Sequence, residues 1–160
     1  MKIVVDENVP YGREAFGALG EVETHPGRAI TPDTLRDAQL LVVRSVTRVD
    51  ASLLEDTGVS FVGTCTIGED HIDKAYLAER GIAFSSAPGC NANSVGQYIV
   101  AALLVLAERY GPALSDVSLG IVGVGNVGSR VRKKAEALGI RCVLNDPPLA
   151  EQTGDAVYRP

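Results

Sequence analysis

Cysteine, surplus positive charge and long apolar runs are all scarce in this 160-residue sequence, and each scarcity closes off a class of protein. The three cysteines, Cys65, Cys90 and Cys142, are widely spaced and odd in number, without Cys-x-x-Cys or Cys/His ligand spacing. Neither a disulfide framework nor a metal site is expected, and thiols in a reducing cytosol are the simpler reading. Basic residues number 15 against 20 acidic ones, giving a formal charge of −5. No field that attracts polyanions follows from that balance, so nucleic acid is not an expected partner. The longest apolar run, Ile99 to Ala107, is far short of the roughly 18 residues that suggest a membrane span. The amino terminus enters a strand-like run at once, without the basic and apolar regions of a signal peptide, which points to a cytoplasmic protein. What remains, 46% hydrophobic and 22% charged residues with only 8 prolines, is the composition of a globular chain.

Short aliphatic runs recur through the first half: Ile3 to Val5, Leu40 to Val43, Phe61 to Val62, Ile82 to Phe84, and a weaker one around Val22. Segments with helical spacing lie between them, at Arg13 to Leu19, Thr31 to Ala38, Ala51 to Asp56 and Asp73 to Arg80. This βα alternation predicts an α/β fold, a flavodoxin-like doubly wound parallel sheet over residues 1–92. Ser94-Val-Gly-Gln97 has the form of a capping box and predicts the start of a long helix, an interdomain segment over 93–112. That helix is expected to end at Tyr110, stopped by Gly111-Pro112. Its middle is apolar around the circumference, which predicts burial between layers or between domains rather than on a surface. A strand near Ser118 then opens a second unit, over 113–160.

The sharpest signal in that second unit is Gly123-Val-Gly125-Asn126-Val127-Gly128, a G-x-G-x-x-G turn that leaves an aliphatic strand and opens a helix. Val127, Val131, Ala135 and Leu138 lie on one face of that helix. The glycines differ in what they make possible, since Gly123 permits the tight turn, Gly125 lets backbone approach a pyrophosphate, and Gly128 lets helix pack on strand. The helix N-terminus attracts the anion. About 20 residues on, after a strand at Arg141 to Leu144, Asp146 stands where a carboxylate accepts hydrogen bonds from ribose hydroxyls and repels a 2′-phosphate. This is the beginning of a Rossmann unit, with NAD favoured over NADP. The bland alternative is a glycine-rich turn in an unrelated α/β protein.

Arg44-Ser45-Val-Thr47-Arg48 follows a predicted central strand, where ligands of open α/β sheets bind, and its guanidinium and hydroxyl groups suit an anionic small molecule. A solvated loop with capping hydroxyls explains the same spacing equally well. Gly63 to Asp73 follows the next strand, with backbone donors able to hold a carboxylate. Within it His71 reads as a capping or hydrogen-bonding residue rather than a catalyst. His25 reads as a surface-loop residue. Arg130, Arg132, Lys133 and Lys134 read as a solvated helix face, and Cys90 has no base that would make it a nucleophile.

Taken together, these residues resemble the D-2-hydroxyacid dehydrogenase superfamily, and within it the branch that oxidises 4-phospho-D-erythronate in vitamin B6 (pyridoxal phosphate) biosynthesis. The resemblance rests on Val5-Asp-Glu-Asn8, Arg44-Ser-Val-Thr47, Phe61-Val-Gly-Thr64, Gly68 with Asp70-His71, Ala87-Pro-Gly-Cys-Asn91 and Gly120 to Ser129, and covers essentially the whole chain. It implies an oxidoreductase using NAD, with Ser45 and Thr66 as substrate contacts, beside which the Arg44 guanidinium is the expected cation. It also implies Asn126 and Val127 at the pyrophosphate, Asp146 at the ribose, and a homodimer. The substrate it implies is a small phosphorylated 2-hydroxy acid, another acid such as phosphoglycerate being the nearest alternative. A non-catalytic nucleotide-binding or assembly module is the alternative from a different class.

Two departures matter. In the resembling family the catalytic Arg, Glu and His lie beyond residue 160, so no catalytic residue is expected on this chain and activity of the chain alone is not expected. Glu69 stands where relatives commonly have Thr, adding negative charge near an anion site. With only strand, helix and strand of the nucleotide unit expected, a two-strand remnant predicts exposed sheet edge and apolar helix surface, with partial disorder or self-association. The stop at Tyr158-Arg-Pro160 reads as a truncation.

Overall fold

The computed structural model describes residues 1–111 and 113–159, and forms two compact units, Met1–Ala87 and Pro88–Pro160. In the first, strands β1 (Lys2–Asp6), β2 (Glu21–His25), β3 (Leu40–Val43), β4 (Phe61–Thr64) and β5 (Ala83–Ser85) form one parallel sheet in the order β2-β1-β3-β4-β5. This is the flavodoxin-like order, in which the chain reverses direction across the sheet at its first strand. Helices α1 (Gly12–Phe16), α2 (Pro32–Leu35), α3 (Ala51–Leu54) and α4 (Lys74–Glu79) make the connections, each shorter than the spacing predicts.

Alternation along the strands divides the core between two faces. Ile3, Val5 and Val42 form one cluster, with Phe16 of α1 packed against it. Val4, Leu41, Val43 and Val62 point the other way, into a larger cluster with Leu35, Leu54 and Leu77. Both faces are therefore covered, which is why these strands read as unbroken aliphatic runs.

The second unit opens with α5 (Ala92–Tyr110), then β6 (Ser118–Val122), α6 (Asn126–Ala137), β7 (Arg141–Asn145), α7 (Pro147–Thr153) and β8 (Tyr158–Arg159). It takes in the helix expected to stand between domains. Its sheet is parallel, in the order β6-β7-β8, over a small core of Ile121, Val124, Val131 and Leu144.

Several expectations need correction. The capping box at Ser94 does not form: α5 begins at Ala92 behind Asn91, whose side chain makes no cap. The turn at Gly89, with φ of +80°, brings the Ala92 amide to the Gly89 carbonyl at 3.1 Å and starts the helix early, leaving Ser94 inside the first turn. Gly111 does end it, in the left-handed region; Pro112 and Pro160 lie outside the described residues. The middle of α5 is not buried, since Leu104, Val105 and Leu106 are about half exposed or more, at 47%, 60% and 50%. α6 packs against α5, and these three are covered only in part. The second unit has three strands rather than the two expected, with a helix between the second and third. The signal for that helix was present: Asp146 followed by Pro147 is an N-cap with proline at the first helical position. His25 is not on a loop but ends β2, in register with Asp6 and 3.4 Å from Glu23 Oε2.

Candidate functional site

The carboxyl edge of the first sheet carries the candidate substrate loops. After β3 the chain turns through Arg44-Ser-Val-Thr47, closed by the Thr47 amide on the Arg44 carbonyl at 3.1 Å. Thr47 is buried and its hydroxyl donates to the Gly27 carbonyl at 2.8 Å, so it holds the loop to the segment after β2. Arg48 pairs with Asp50 at 2.7 Å. The half-buried Arg44 guanidinium and the exposed Ser45 hydroxyl have no partner among the described residues. Of the five positions in this motif, two are structural or ion-paired and two have polar groups left for a ligand.

Asp6, at the end of β1, is fully buried; its Oδ1 accepts from the Asn8 amide at 2.8 Å, and its Oδ2 has no partner among the described residues. A Cβ on Gly27 would collide with that oxygen and approach Val46 Cγ2 to 2.8 Å. Only glycine fits there, so the Asp6 turn and the loop after β3 are packed directly together.

After β4, Thr64 is buried and its Oγ1 meets Thr66 Oγ1 at 3.1 Å and His71 Nε2 at 3.0 Å. His71 is a hydrogen-bonding residue and not a cap, because Asp73 caps α4 through the Tyr76 amide at 3.0 Å. Burial pushes the His71 imidazole below its ordinary pKa, against the opposing pull of Asp70 and Glu69. Glu69 accepts from Lys74 Nζ at 2.8 Å and from the Ser86 hydroxyl, and these bonds, Lys74 first, hold its carboxyl below the usual carboxylate range. The extra charge expected at Glu69 is thus matched by a lysine five residues on. Thr64 and Lys74 were the missed members of this loop; the i, i+2 spacing of Thr64 and Thr66 beside a strand end was the readable signal.

In the second unit the glycine turn is built as its motif requires. Gly123 has φ of +82°, and nothing lies within 4 Å of a Cβ placed on Gly123 or Gly125, so space is open over the turn. Gly128 is the reverse case: a Cβ there would strike the Gly123 carbonyl and come within 3.2 Å of Ile121 Cγ2. Gly125 is the N-cap of α6, and no side chain caps that end. Asn126 is exposed and its side chain lies beside Gly89, where a Cβ would sit 2.8 Å from Asn126 Cγ. The Pro88-Gly-Cys-Asn91 turn therefore needs its glycine to make room for Asn126.

Asp146 reaches back across the strand end, where its Oδ2 accepts from the Val124 amide at 2.7 Å and its Oδ1 caps α7 through the Leu149 amide at 3.1 Å. An ionised carboxylate has about four lone-pair sites, so two bonds leave room for hydroxyl donors. The open space over Gly123 and Gly125, an uncapped helix start and an acceptor at the next strand end fit a dinucleotide. Cys142 is half-buried and burial pushes its thiol pKa up. Among the described residues no group of three or more His, Cys, Asp or Glu side chains could hold a metal ion. No helix among them is long and apolar enough to cross a membrane.

Residues 3–150 match the model of the D-isomer specific 2-hydroxyacid dehydrogenase catalytic domain. Erythronate-4-phosphate dehydrogenases of Salmonella arizonae and Klebsiella pneumoniae are 57% and 55% identical over 99% of this chain. The chain spans 42% of the length of each. Among solved structures, the NAD-bound 3-phosphoglycerate dehydrogenase of Entamoeba histolytica superposes with a TM-score of 0.69 at 29% identity, over 92% of this chain and 54% of that one. D-lactate dehydrogenase of Aquifex aeolicus, 23% identical with a TM-score of 0.70 over 95% of this chain and 54% of that one, shares the fold. The parallel five-strand order, the glycine turn and the match over residues 3–150 agree: the chain belongs to the D-isomer specific 2-hydroxyacid dehydrogenase family.

Proposed function

We propose that this chain is the substrate-holding and coenzyme-gripping part of an NAD-dependent dehydrogenase that oxidises 4-phospho-D-erythronate at C2 to its 2-oxo acid, a step toward vitamin B6. The observation that carries the reading is the glycine turn with open space above it and the Asp146 carboxylate beside it. Asn126, Val127 and the backbone of Gly123, Gly125 and Gly128 would hold the pyrophosphate, and Asp146 the ribose hydroxyls. NAD, when bound, supplies the hydride acceptor. Arg44 gives an unpaired cation, and Ser45 and Thr66 hydroxyls, for the carboxylate or phosphate of the substrate. The identity to erythronate-4-phosphate dehydrogenases supports this acid over phosphoglycerate.

Oxidation also needs a base to take the hydroxyl proton as hydride leaves. In the resembling family that base lies beyond residue 160, and neither His25 nor His71 corresponds to it, so neither is assigned that role. The 160-residue chain is accordingly expected to bind without turnover, which is also what an assembly module would do. Calorimetric titration is expected to show NAD bound more tightly than NADP by tenfold or more, and tighter binding of NADP would overturn the Asp146 assignment. Turnover of 4-phospho-D-erythronate, but not of 3-phosphoglycerate, by a form extended to the length of the relatives separates the enzyme reading from its rivals.

The homodimer implied by the resemblance is part of the same proposal. Tyr98, Val105 and Leu106, exposed along one side of α5, give an apolar face for a second copy. Val105→Glu with Leu106→Glu is expected to shift the chain toward monomer in sedimentation; an unchanged distribution assigns association elsewhere.

A further inference from the structure

We propose that His71 is a positioning residue: acting through Thr64, it turns the Thr66 hydroxyl into a hydrogen-bond donor for the anionic end of the substrate. The inference rests on the reading that Thr66 touches that substrate. Three groups meet at Thr64 Oγ1: His71 Nε2 at 3.0 Å, Thr66 Oγ1 at 3.1 Å and the Thr66 amide at 3.4 Å. A hydroxyl has one proton to give and two lone pairs to fill. The Thr66 amide can only donate, so it takes one lone pair. The imidazole then decides the rest.

If Nε2 is the bare nitrogen, Thr64 gives its proton to His71, Thr66 must donate inward to Thr64, and only oxygen lone pairs face an incoming anion. If Nε2 carries the proton, it fills the second lone pair, Thr64 donates to Thr66, and the Thr66 proton is left for the ligand. Both arrangements saturate Thr64, and only the second leaves a proton to attract a carboxylate or phosphate oxygen. Because burial depresses its pKa, the ring is neutral near pH 7 and has a single N–H, so the choice between tautomers is real.

The backbone keeps the ring at its post. The His71 carbonyl accepts from the Val49 amide at 2.8 Å, the Asp73 amide donates to the Val49 carbonyl at 2.8 Å, and the Ile72 amide closes on Glu69 at 2.9 Å. Val49 directly follows Arg48, so one residue ties the Arg44–Arg48 loop to the Thr64–Thr66 hydroxyls.

Nitrogen NMR of the imidazole in the 160-residue chain, saturated with 4-phospho-D-erythronate, is expected to show the Nε2–H tautomer; Nδ1–H with the acid bound overturns the proposal. Loss of one charge-assisted hydrogen bond predicts that His71→Ala weakens binding of the acid about tenfold. His71→Gln, whose side-chain amide N–H reaches about the same place, is expected to recover most of that. In a Thr66→Val background His71→Ala is expected to add nothing. Amide-proton spectra in which β1, β3 and β4 keep their shifts check that the first unit of each variant folds. If Thr66→Val weakens binding but His71→Ala does not, or if the two losses add, the positioning role is wrong while the substrate reading stands. If Thr66→Val has no effect, or the unaltered chain fails to bind the acid, the substrate reading fails and takes the proposal with it.

Discussion

Replacing Gly128 by alanine is expected to destabilise the second unit by about 3 kcal/mol, the upper part of the usual range for forcing one carbon into a packed site. The added Cβ would overlap the Gly123 carbonyl oxygen, lie 3.0 Å from its carbon, and press on Ile121 Cγ2 at 3.2 Å. The obstacle is backbone rather than a flexible side-chain tip. Gly123 is also anchored, since its amide donates to the Asn145 carbonyl at 2.8 Å and extends the pairing of β6 with β7. Relief must come from sliding α6 off the sheet, which lifts the buried Val131 and Ala135 out of their contacts. Denaturant unfolding followed by amide exchange is expected to show lower protection in β6, α6 and β7, with β1, β3 and β4 unaffected. Gly125→Ala is the contrasting case: no atom lies near its Cβ, and the cost is only that of holding alanine at φ −72°, ψ −145°, on the margin of the extended region. It is expected to cost about 1 kcal/mol, well below Gly128→Ala, while placing a methyl in the space proposed for the pyrophosphate. Equal effects of the two substitutions on stability would mean that the glycines do not divide the work as described.

How much of this was readable in the sequence depended on whether the cause was local. Ile3, Val4 and Val5 announce a strand with both faces buried because every side chain in it is apolar, and the structure puts Val4 in one cluster and its neighbours in the other. The glycine turn was readable because its requirements, a positive φ at Gly123 and no side chain at Gly128, are met by one residue type. The start of α5 was misjudged because the Gly89 turn and the buried Ala92 fix it, whereas Ser94-x-x-Gln97 is only a local pattern that the tertiary structure overrides. Burial of the α5 middle was misjudged for a related reason: an apolar circumference states a need for partners, and this chain supplies them on one side. In the candidate substrate loops, residue type marked Arg44, Ser45 and Thr66 as polar. Their division from Thr47 and Arg48 was not legible, since it depends on a carbonyl contributed by Gly27 and a carboxylate by Asp50.

The same dependence on distant partners makes Asp146 the second position of large effect. Its carboxylate was expected to serve a ribose, yet in the structure it also joins two pieces of its own unit, the Val124 amide of the glycine turn and the Leu149 amide of α7. Asp146→Ala removes both acceptors together. A lost helix N-cap costs about 1 kcal/mol and an amide left without its acceptor costs about 1–3 kcal/mol, so a loss of about 2–4 kcal/mol is expected for the second unit. Freed from that tie, the Val124 amide no longer fixes the turn, and the ribose loses its acceptor as well. NAD affinity is therefore expected to fall by more than the roughly tenfold of a single hydrogen bond, and discrimination against NADP is expected to vanish with the charge. Asp146→Asn separates the contributions, because its carbonyl oxygen can still cap α7 while its amide group cannot accept from Val124 and no longer repels a 2′-phosphate. Stability between that of Asp146→Ala and that of the unaltered chain, with NAD and NADP bound about equally, is the result expected for Asn. If Asp146→Ala instead keeps both its stability and its preference for NAD, the carboxylate neither braces the turn nor reads the sugar, and the coenzyme must be selected by another group.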